Sequence, residues 1–187
     1  SIHAETVGSL VSTIKAYKDY EIDYCIYANS LIYEARNHIL KDALKYDADY
    51  LLFIDSDIIF PADAIQKLID LNKPVATGIY WRRSESVHLP VIFDSLKPRS
   101  IFNHEPGGTT FTGQIDRSQR VAGCGMGFCF IRKDVLHKIT KRFASPFEPY
   151  RGLGEDLAFC YRLSKIGTPI YALNVGLKHI GTKYYEG

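Results

Sequence analysis

The sequence has few of the features that mark zinc-binding, disulfide-bonded or nucleic-acid-binding proteins. Its four cysteines, Cys25, Cys124, Cys129 and Cys160, form no CxxC pair, which favours buried thiols in a reducing compartment over zinc or disulfides. The formal net charge is only +2, and the basic residues form no dense run. We therefore expect no nucleic-acid partner.

Long apolar runs are also missing. No segment approaches the roughly 20 apolar residues of a membrane-spanning helix, so we expect no transmembrane segment. No secretory signal is recognisable at the N-terminus, which favours a cytoplasmic protein. The 187 residues, 46% hydrophobic and 24% charged, are those of an ordinary globular chain, and we expect a single domain.

Helical and strand patterns alternate along the chain, which indicates an α/β fold with a mainly parallel sheet covered by helices. The first helix is expected over residues 1–20, with Val7, Leu10, Val11 and Ile14 facing the core. Strands are predicted at 22–27, 50–54, 75–81, 127–132 and 170–175, and further helices at 31–46, after Pro61, at 134–140 and at 154–166. Residues from about 84 to 120 are rich in proline and glycine, which predicts an irregular insertion with only a short strand at 90–93.

Two helix details depend on particular residues. Ser30 is expected to cap the helix at 31–46, whose apolar face carries Leu31, Ala35, Ile39 and Ala43.

Because an alternating α/β domain normally opens on a strand, we expect the first strand of the fold to lie outside this sequence.

Two carboxylates interrupt an apolar run at Asp55-Ser56-Asp57, directly after the strand predicted at 50–54. Ligands of open parallel sheets bind beyond the carboxyl ends of the strands, and paired carboxylates suit Mg²⁺ or Mn²⁺, which often share oxygen ligands with phosphates. The alternative is structural: Asp55 begins a turn and Asp57 caps the next helix. The apolar context favours a site.

Adjacent acids also open a later helix, in Gly154-Glu155-Asp156. The helix dipole favours acids at this position, which is a sufficient structural explanation. The glycines at 152 and 154, however, allow the backbone to approach a ligand, and an ionised carboxylate can accept a proton from a hydroxyl. Both interpretations stay open.

Three weaker signals complete the pattern. His179 beyond the last strand is either a structural histidine or a third ligand of a metal held by the two aspartates. Gly125, in a glycine-rich stretch that precedes a strand, allows tight packing or forms the floor beneath a sugar. The run Tyr80-Trp81-Arg82-Arg83 is an ordinary strand end, or an aromatic platform with cations for an acceptor or for phosphate.

In chain order, these motifs resemble nucleotide-sugar glycosyltransferases of the GT-A fold, broadly those of family 2. The resemblance is carried by Ala35-Arg36-Asn37, Phe53-Ile54-Asp55-Ser56-Asp57, the glycine-rich strand at 123–131, Gly154-Glu155-Asp156 and His179. It implies a three-layer, Rossmann-like GT-A domain over residues 1–187, with a mixed, mainly parallel sheet and helices on both faces. It also implies a metal-dependent hexosyltransferase-like enzyme that moves a sugar from a nucleoside-diphosphate sugar to an acceptor hydroxyl.

The resemblance also implies residue roles. Asp57, Asp55 and His179 would hold Mn²⁺ or Mg²⁺. Asp156 would be the base of an inverting transfer, with Glu155 orienting the acceptor beside Trp81 and Arg82. The donor would be bound by Arg36 near the nucleotide base and by Asp55, Asp57, Asn29 and Gly125. An acidic residue often meets the base where Asn29 stands, so the choice of base is open, with a UDP-sugar favoured over a GDP-sugar.

Two other functions compete with this one. A non-catalytic nucleotide-sugar or glycan-binding module would keep the same residues without turnover. A phosphatase of the haloacid-dehalogenase type also has DxD after an apolar strand, but usually with Gly-Thr following; here Ile58-Ile59 follow. The acceptor class, whether glycan, lipid or protein, does not follow from the sequence.

Overall fold

The computed structural model describes residues 2–27, 31–46, 48–83, 89–100, 107–111 and 117–181, and these form five helices and ten strands. The helices are α1 (Ala4–Ala16), α2 (Ile32–Ala43), α3 (Ala64–Asp70), α4 (Lys133–Arg142) and α5 (Glu155–Lys165). The strands are β1 (Tyr50–Ile54), β2 (Ile58–Ile59), β3 (Val75–Gly78), β4 (Ile92–Lys97), β5 (Gly107–Thr110), β6 (Gln119–Val121), β7 (Gly123–Cys124), β8 (Phe128–Arg132), β9 (Ile170–Leu173) and β10 (Lys178–His179).

The main sheet has the strand order β1-β8-β3-β9-β6 and is mixed. Strands β3 and β9 are parallel, whereas β8 is antiparallel to both β1 and β3, and β6 is antiparallel to β9. The α/β class is confirmed, but the expectation of a mainly parallel sheet is wrong for the described residues. The reason is β8, which follows the insertion and enters between β1 and β3 in the opposite direction.

Alternating side chains of the sheet pack into two apolar clusters. Phe53, Cys129 and Ile131 belong to one cluster, with residues of α2, α4 and α5. Phe128 and Phe130 belong to the other, with residues of α3. Successive strand residues point to opposite faces, so this division means that both faces of the sheet are buried.

Helix α1 forms where it was expected but buries the opposite face. Thr6, Ser9 and Thr13 are buried, whereas three of the four apolar residues expected in the core, Val7, Val11 and Ile14, are at least 40% exposed. The prediction of the core face was wrong because α1 packs near β2, where polar backbone groups need hydrogen-bond partners that Thr and Ser can supply.

The region between α1 and β1 also differs from expectation. Residues 22–27 were predicted as a strand, but the described residues 21–27 form none and are exposed. Strand-forming composition is insufficient without a paired neighbour. In α2 the buried residues are Ala35, Arg36, Asn37 and Leu40, while Leu31 is exposed. The expected cap Ser30 lies outside the described residues.

The insertion is more regular than predicted. Its described parts contain β4, β5 and β6; β4 pairs with β5 and β7 in a three-stranded sheet, and β6 joins the main sheet. The longest helix in the described ranges, α1, has 13 residues, and none of the described helices could span a membrane.

Candidate functional site

The candidate site lies at one edge of the main sheet because the strand directions bring four chain segments together there. Strands β1, β3 and β9 run in the same direction, so the residues that follow them emerge at one edge. Strand β8 runs in the opposite direction, so the glycine-rich stretch before it reaches the same edge. The segments are Asp55–Asp57, the residues at 79–83, those at 125–127 and those at 176–180.

A pair of two-residue strands delivers His179 to the DxD turn. In this small sheet β10 pairs with β2, and His179 lies opposite Ile58. The Ile180 N–H donates to the Asp57 carbonyl at 2.8 Å, which extends the pairing by one residue. The sequence predicted that His179 and Asp57 would meet, and in the structure the Asp57 Oδ1 and His179 Nε2 atoms are 3.6 Å apart.

Helix α1 supports the same turn from outside. The Thr6 hydroxyl and the His3 backbone N–H both donate to the Ser56 carbonyl, at 3.1 and 2.9 Å. The Ser9 hydroxyl accepts from the Phe60 N–H at 3.1 Å. These bonds satisfy backbone groups of an irregular turn, and they explain why α1 buries its Thr and Ser residues.

Arg36 gathers three of the predicted site acids. Its side chain is only 5% exposed, and within the described residues its guanidinium contacts Asp55 Oδ1 at 3.1 Å, Glu155 Oε1 at 3.3 Å and the Asp156 carboxylate. A buried guanidinium requires charged or hydrogen-bonding partners, and its fork of five N–H groups can serve several carboxylates together. One arginine from α2 therefore joins the end of β1 to the start of α5.

The start of α5 is positioned by a tight turn. Tyr150 and Leu153 exchange backbone hydrogen bonds across Arg151 and Gly152, whose φ angles are 46° and 82°. Two consecutive positive φ angles define the type I′ geometry, which favours glycine, and Gly152 fills one of the two positions. Gly154 then precedes α5 in an extended conformation. Gly152 is thus required by the turn, and the close approach of a ligand predicted for the two glycines stays a prediction.

Asp156 is held on both sides. Besides contacting Arg36, it accepts a hydrogen bond from the Met126 N–H through Oδ2 at 3.2 Å. Its neighbour Glu155 contacts Arg36 from the same helix turn. Both carboxylates are about one quarter exposed. They can therefore meet a ligand from the solvent side while Arg36 holds them from the protein side.

The second group of charges is His179, Asp57 and Arg83. Arg83 forms an ion pair with Asp57 through its terminal nitrogen, and its Nε–H donates to His179 Nε2 at 3.1 Å. The His179 Nδ1 atom lies 2.8 Å from the Trp81 carbonyl. Since a carbonyl only accepts, Nδ1 carries the proton and Nε2 presents a lone pair.

Burial lowers the pKa of His179 from its usual value, and the nearby Arg83 charge acts in the same direction. The hydrogen bond to the Trp81 carbonyl opposes this shift. His179 is therefore neutral at neutral pH. A neutral imidazole with a fixed tautomer and a backbone acceptor behind it is the form that binds metal ions.

The donor set for a cation consists of two residues. An ion about 2.1 Å from each ligand could contact both Asp57 Oδ1 and His179 Nε2 across their 3.6 Å separation. Asp55, the third ligand expected from the sequence, contacts Arg36 instead. No cluster of three or more His, Cys, Asp or Glu residues within the described ranges could hold a metal. The pair still fits Mg²⁺ or Mn²⁺, because such ions commonly take their remaining ligands from phosphate and water.

Tyr80 lies between the two charged groups. Its buried hydroxyl accepts from the Gly127 N–H at 3.0 Å, and its ring meets His179 edge to face, with centroids 5.2 Å apart. A Cβ at Gly127 would lie 2.8 Å from the Tyr80 hydroxyl and 3.1 Å from Asp55 Oδ2, and one at Gly125 would collide with that hydroxyl. Gly125 is thus explained by packing against Tyr80.

The remaining predicted residues lie at the margin. Trp81 contributes its carbonyl to His179, and its partly buried side chain packs on the apolar cluster that contains Phe53. Arg82 is exposed, with its guanidinium near Thr110 and over the Phe93 ring. Asn29 lies outside the described residues.

Sequence reasoning missed two features of the site. Arg83 was noted as a cation for acceptor or phosphate, but its contacts with Asp57 and His179 were not anticipated. The role of Tyr80 beneath the glycines was also missed. The sequence feature that could have revealed Tyr80 is the pair Gly125 and Gly127. Glycines at alternate positions before a strand indicate that a bulky group packs against one face of that segment.

Comparisons with known proteins bear on the fold alone. No protein-family model matches the chain, and no curated protein matches it. Among solved structures, the crystal structure of A197 from STIV is similar, with a TM-score of 0.63 and 19% sequence identity. The match covers 97% of this chain and 81% of that one. The two proteins share a fold over nearly the whole of this chain.

Proposed function

We propose that this protein is a metal-dependent glycosyltransferase of the GT-A type, which transfers a sugar from a nucleoside-diphosphate sugar to an acceptor hydroxyl. The observation that carries the proposal is the gathering of Asp55, Glu155 and Asp156 around Arg36, beside the Asp57–His179 pair. These residues come from four distant parts of the sequence and meet at the sheet edge where ligands of α/β proteins bind.

The Asp57–His179 pair would hold the diphosphate end of the donor. When bound there, Mg²⁺ or Mn²⁺ supplies Lewis-acid stabilisation of the charge that develops on the leaving nucleoside diphosphate. The neutral His179 offers its Nε2 lone pair, and Asp57 offers a carboxylate that is only 16% exposed. Asp55, which contacts Arg36, would accept hydrogen bonds from the donor ribose or sugar.

Asp156 would accept the proton of the acceptor hydroxyl in an inverting transfer. Arg36 and the Met126 N–H keep its carboxylate in one orientation. Such positioned proton transfer typically contributes about 10²–10⁴-fold to a rate. Glu155, on the same guanidinium, would orient the acceptor, with Trp81 and Arg82 at its outer side. We assign Arg36 to positioning these acids, a role that differs from the nucleotide-base contact expected from the resemblance.

A binding module without turnover is the second candidate, and one observation favours it. Asp156 Oδ1 is buried against Arg36, and Oδ2 already accepts from the Met126 N–H, so only the second lone pair of Oδ2 is left for a substrate. A base must expose a lone pair to its substrate. If ligand binding does not release one of these contacts, the same site would bind a nucleotide sugar and leave it intact.

Product analysis separates these functions. The protein would be incubated with a panel of UDP- and GDP-sugars and Mn²⁺, with and without pooled acceptors, and released nucleoside diphosphate would be measured. We expect release that depends on Mn²⁺, with a UDP-sugar preferred. Binding measured by thermal shift without release would indicate the module. Inorganic phosphate as the product would indicate a phosphatase and contradict the proposal.

A further inference from the structure

Arg83 lies in the candidate site, but the proposed reaction assigns no role to it. Its guanidinium pairs with Asp57 and, through Nε–H, donates to His179 Nε2 at 3.1 Å. These are the same two residues whose oxygen and nitrogen lone pairs would bind the metal. Arg83 contacts Asp57 through Oδ2, whereas the cation would use Oδ1, so the atom that both require is His179 Nε2. Its single lone pair cannot serve a guanidinium and a divalent cation together. The positive charge of Arg83 therefore lies against both residues that would bind the metal.

The two ends of Arg83 have different surroundings. Asp57 and His179 are largely buried, at 16% and 14% exposure, whereas the Arg83 side chain is 47% exposed. A half-exposed arginine with a long, flexible stem can leave its partners at modest cost, because exposed ion pairs contribute little to stability. The Asp57 carboxylate, at 16% exposure, is stabilised by a positive partner, which can be either Arg83 or a cation.

We propose that Arg83 is an internal counter-ion of the metal site: it neutralises Asp57 when no cation is bound and is displaced when Mn²⁺ or Mg²⁺ enters. This inference rests on the proposed function for the identity of the cation, but it concerns a residue to which that function gives no role. Displacement moves the guanidinium to the solvent side of the cation, where a diphosphate oxygen of the donor is its natural new partner.

The proposal predicts competition between Arg83 and the metal. Arg83→Gln removes the competing charge, so Mn²⁺ should bind about three- to tenfold more tightly than it binds the unchanged protein. Arg82→Gln is the matched control, because it removes the same charge from the preceding residue, whose guanidinium contacts Thr110 and Phe93. Mn²⁺ affinity would be measured without nucleotide, by calorimetry and by the decrease of the free Mn²⁺ signal in electron paramagnetic resonance.

The outcomes distinguish the inference from the proposed function. Tighter Mn²⁺ binding in Arg83→Gln alone supports both. If only Arg83→Gln binds Mn²⁺, Arg83 blocks the cation and is not displaced by it, which overturns both the exchange and the metal dependence of the natural protein. Equal affinity in all three proteins, or an equal gain in Arg82→Gln, overturns the counter-ion role and leaves the metal site intact. Absence of Mn²⁺ binding in all three proteins overturns both.

Discussion

Arg36 and Arg83 both pair with aspartates of the DxD turn, but the two arginines differ in every other respect. Arg36 is 5% exposed and contacts three carboxylates that come from two different parts of the chain. Arg83 is 47% exposed and contacts one carboxylate and a neutral histidine. The first is a fixed part of the fold and the second is exchangeable. One turn thus contains both a permanent and a replaceable positive partner.

Burial is the physical basis of this difference. Removing a buried guanidinium leaves carboxylates without a counter-charge in a region that water enters poorly, which is costly. Removing an exposed one leaves a carboxylate that water or a cation can reach. The site therefore has a rigid half, formed by Asp55, Glu155 and Asp156 around Arg36, and an adaptable half, formed by Asp57, His179 and Arg83.

The largest expected effect on stability is in the rigid half. Arg36→Gln should reduce the free energy of unfolding by about 2–3 kcal/mol. This lies below the about 3–5 kcal/mol for a fully buried pair, because the partner acids are at least one quarter exposed. Urea denaturation would measure the loss. Arg83→Gln is the control, with an expected change of about 1 kcal/mol or less. Equal losses in the two variants would remove the distinction between them.

The next effect concerns catalysis. Asp156→Asn should reduce turnover by about 10²–10⁴-fold while donor affinity changes little, because proton acceptance occurs only in the transition state. Glu155→Gln is the matched control, since it removes one charge from the same guanidinium and the same helix turn. Steady-state kinetics and donor titrations would be compared, with the product anomer determined by NMR. Near-normal turnover in Asp156→Asn would contradict its role as the base.

A third prediction concerns the adaptable half. Asp57→Ala should abolish the contribution of Mn²⁺ to nucleoside diphosphate affinity, whereas His179→Ala should only weaken it. The ranking follows from charge, because a hard divalent cation prefers a carboxylate oxygen to a neutral nitrogen. Calorimetric titration with and without Mn²⁺ measures both effects. Asp63→Ala, an exposed acid paired with Lys67, is the control and should not change this affinity. Metal-dependent affinity that persists in Asp57→Ala would falsify the metal role.

The smallest expected effect is at Tyr80, which connects the two halves. Tyr80→Phe removes the acceptor of the buried Gly127 N–H and should cost about 1–2 kcal/mol in the free energy of unfolding. Tyr171→Phe is the control. It also removes a tyrosine hydroxyl, but it keeps the ring, which is the part of Tyr171 that contacts Lys73. If thermal and urea denaturation give equal stabilities for the two variants, the hydroxyl of Tyr80 does not support the glycine-rich stretch.

The local elements of the fold could largely be read from the sequence. Strands at β1, β3, β8 and β9 were predicted because short apolar runs bounded by turn residues indicate buried strands, and α5 was predicted to start at its acids. The same reasoning failed for residues 22–27, whose strand-forming composition has no paired neighbour in the described structure. Inside the insertion it anticipated only the start of β4, at 90–93, and missed β5 and β6, because proline and glycine obscure their alternation.

For the site, the sequence alone determined which residues reach the sheet edge. Asp55 and Asp57 must follow β1, and His179 must follow the last strand of the sheet, because residue order and strand length fix these positions. Which groups they contact was decided only by the tertiary structure. Arg36 meets Glu155 across 119 residues of sequence, and Arg83 meets His179 across 96. Helix α1 shows the same limit. The spacing of its apolar residues predicted a helix, but the face that is buried is the one whose Thr and Ser hydroxyls bond to the Ser56 carbonyl and the Phe60 N–H. Those two backbone groups belong to a turn about 50 residues away and must be hydrogen-bonded, which cannot be predicted from the sequence of α1 alone.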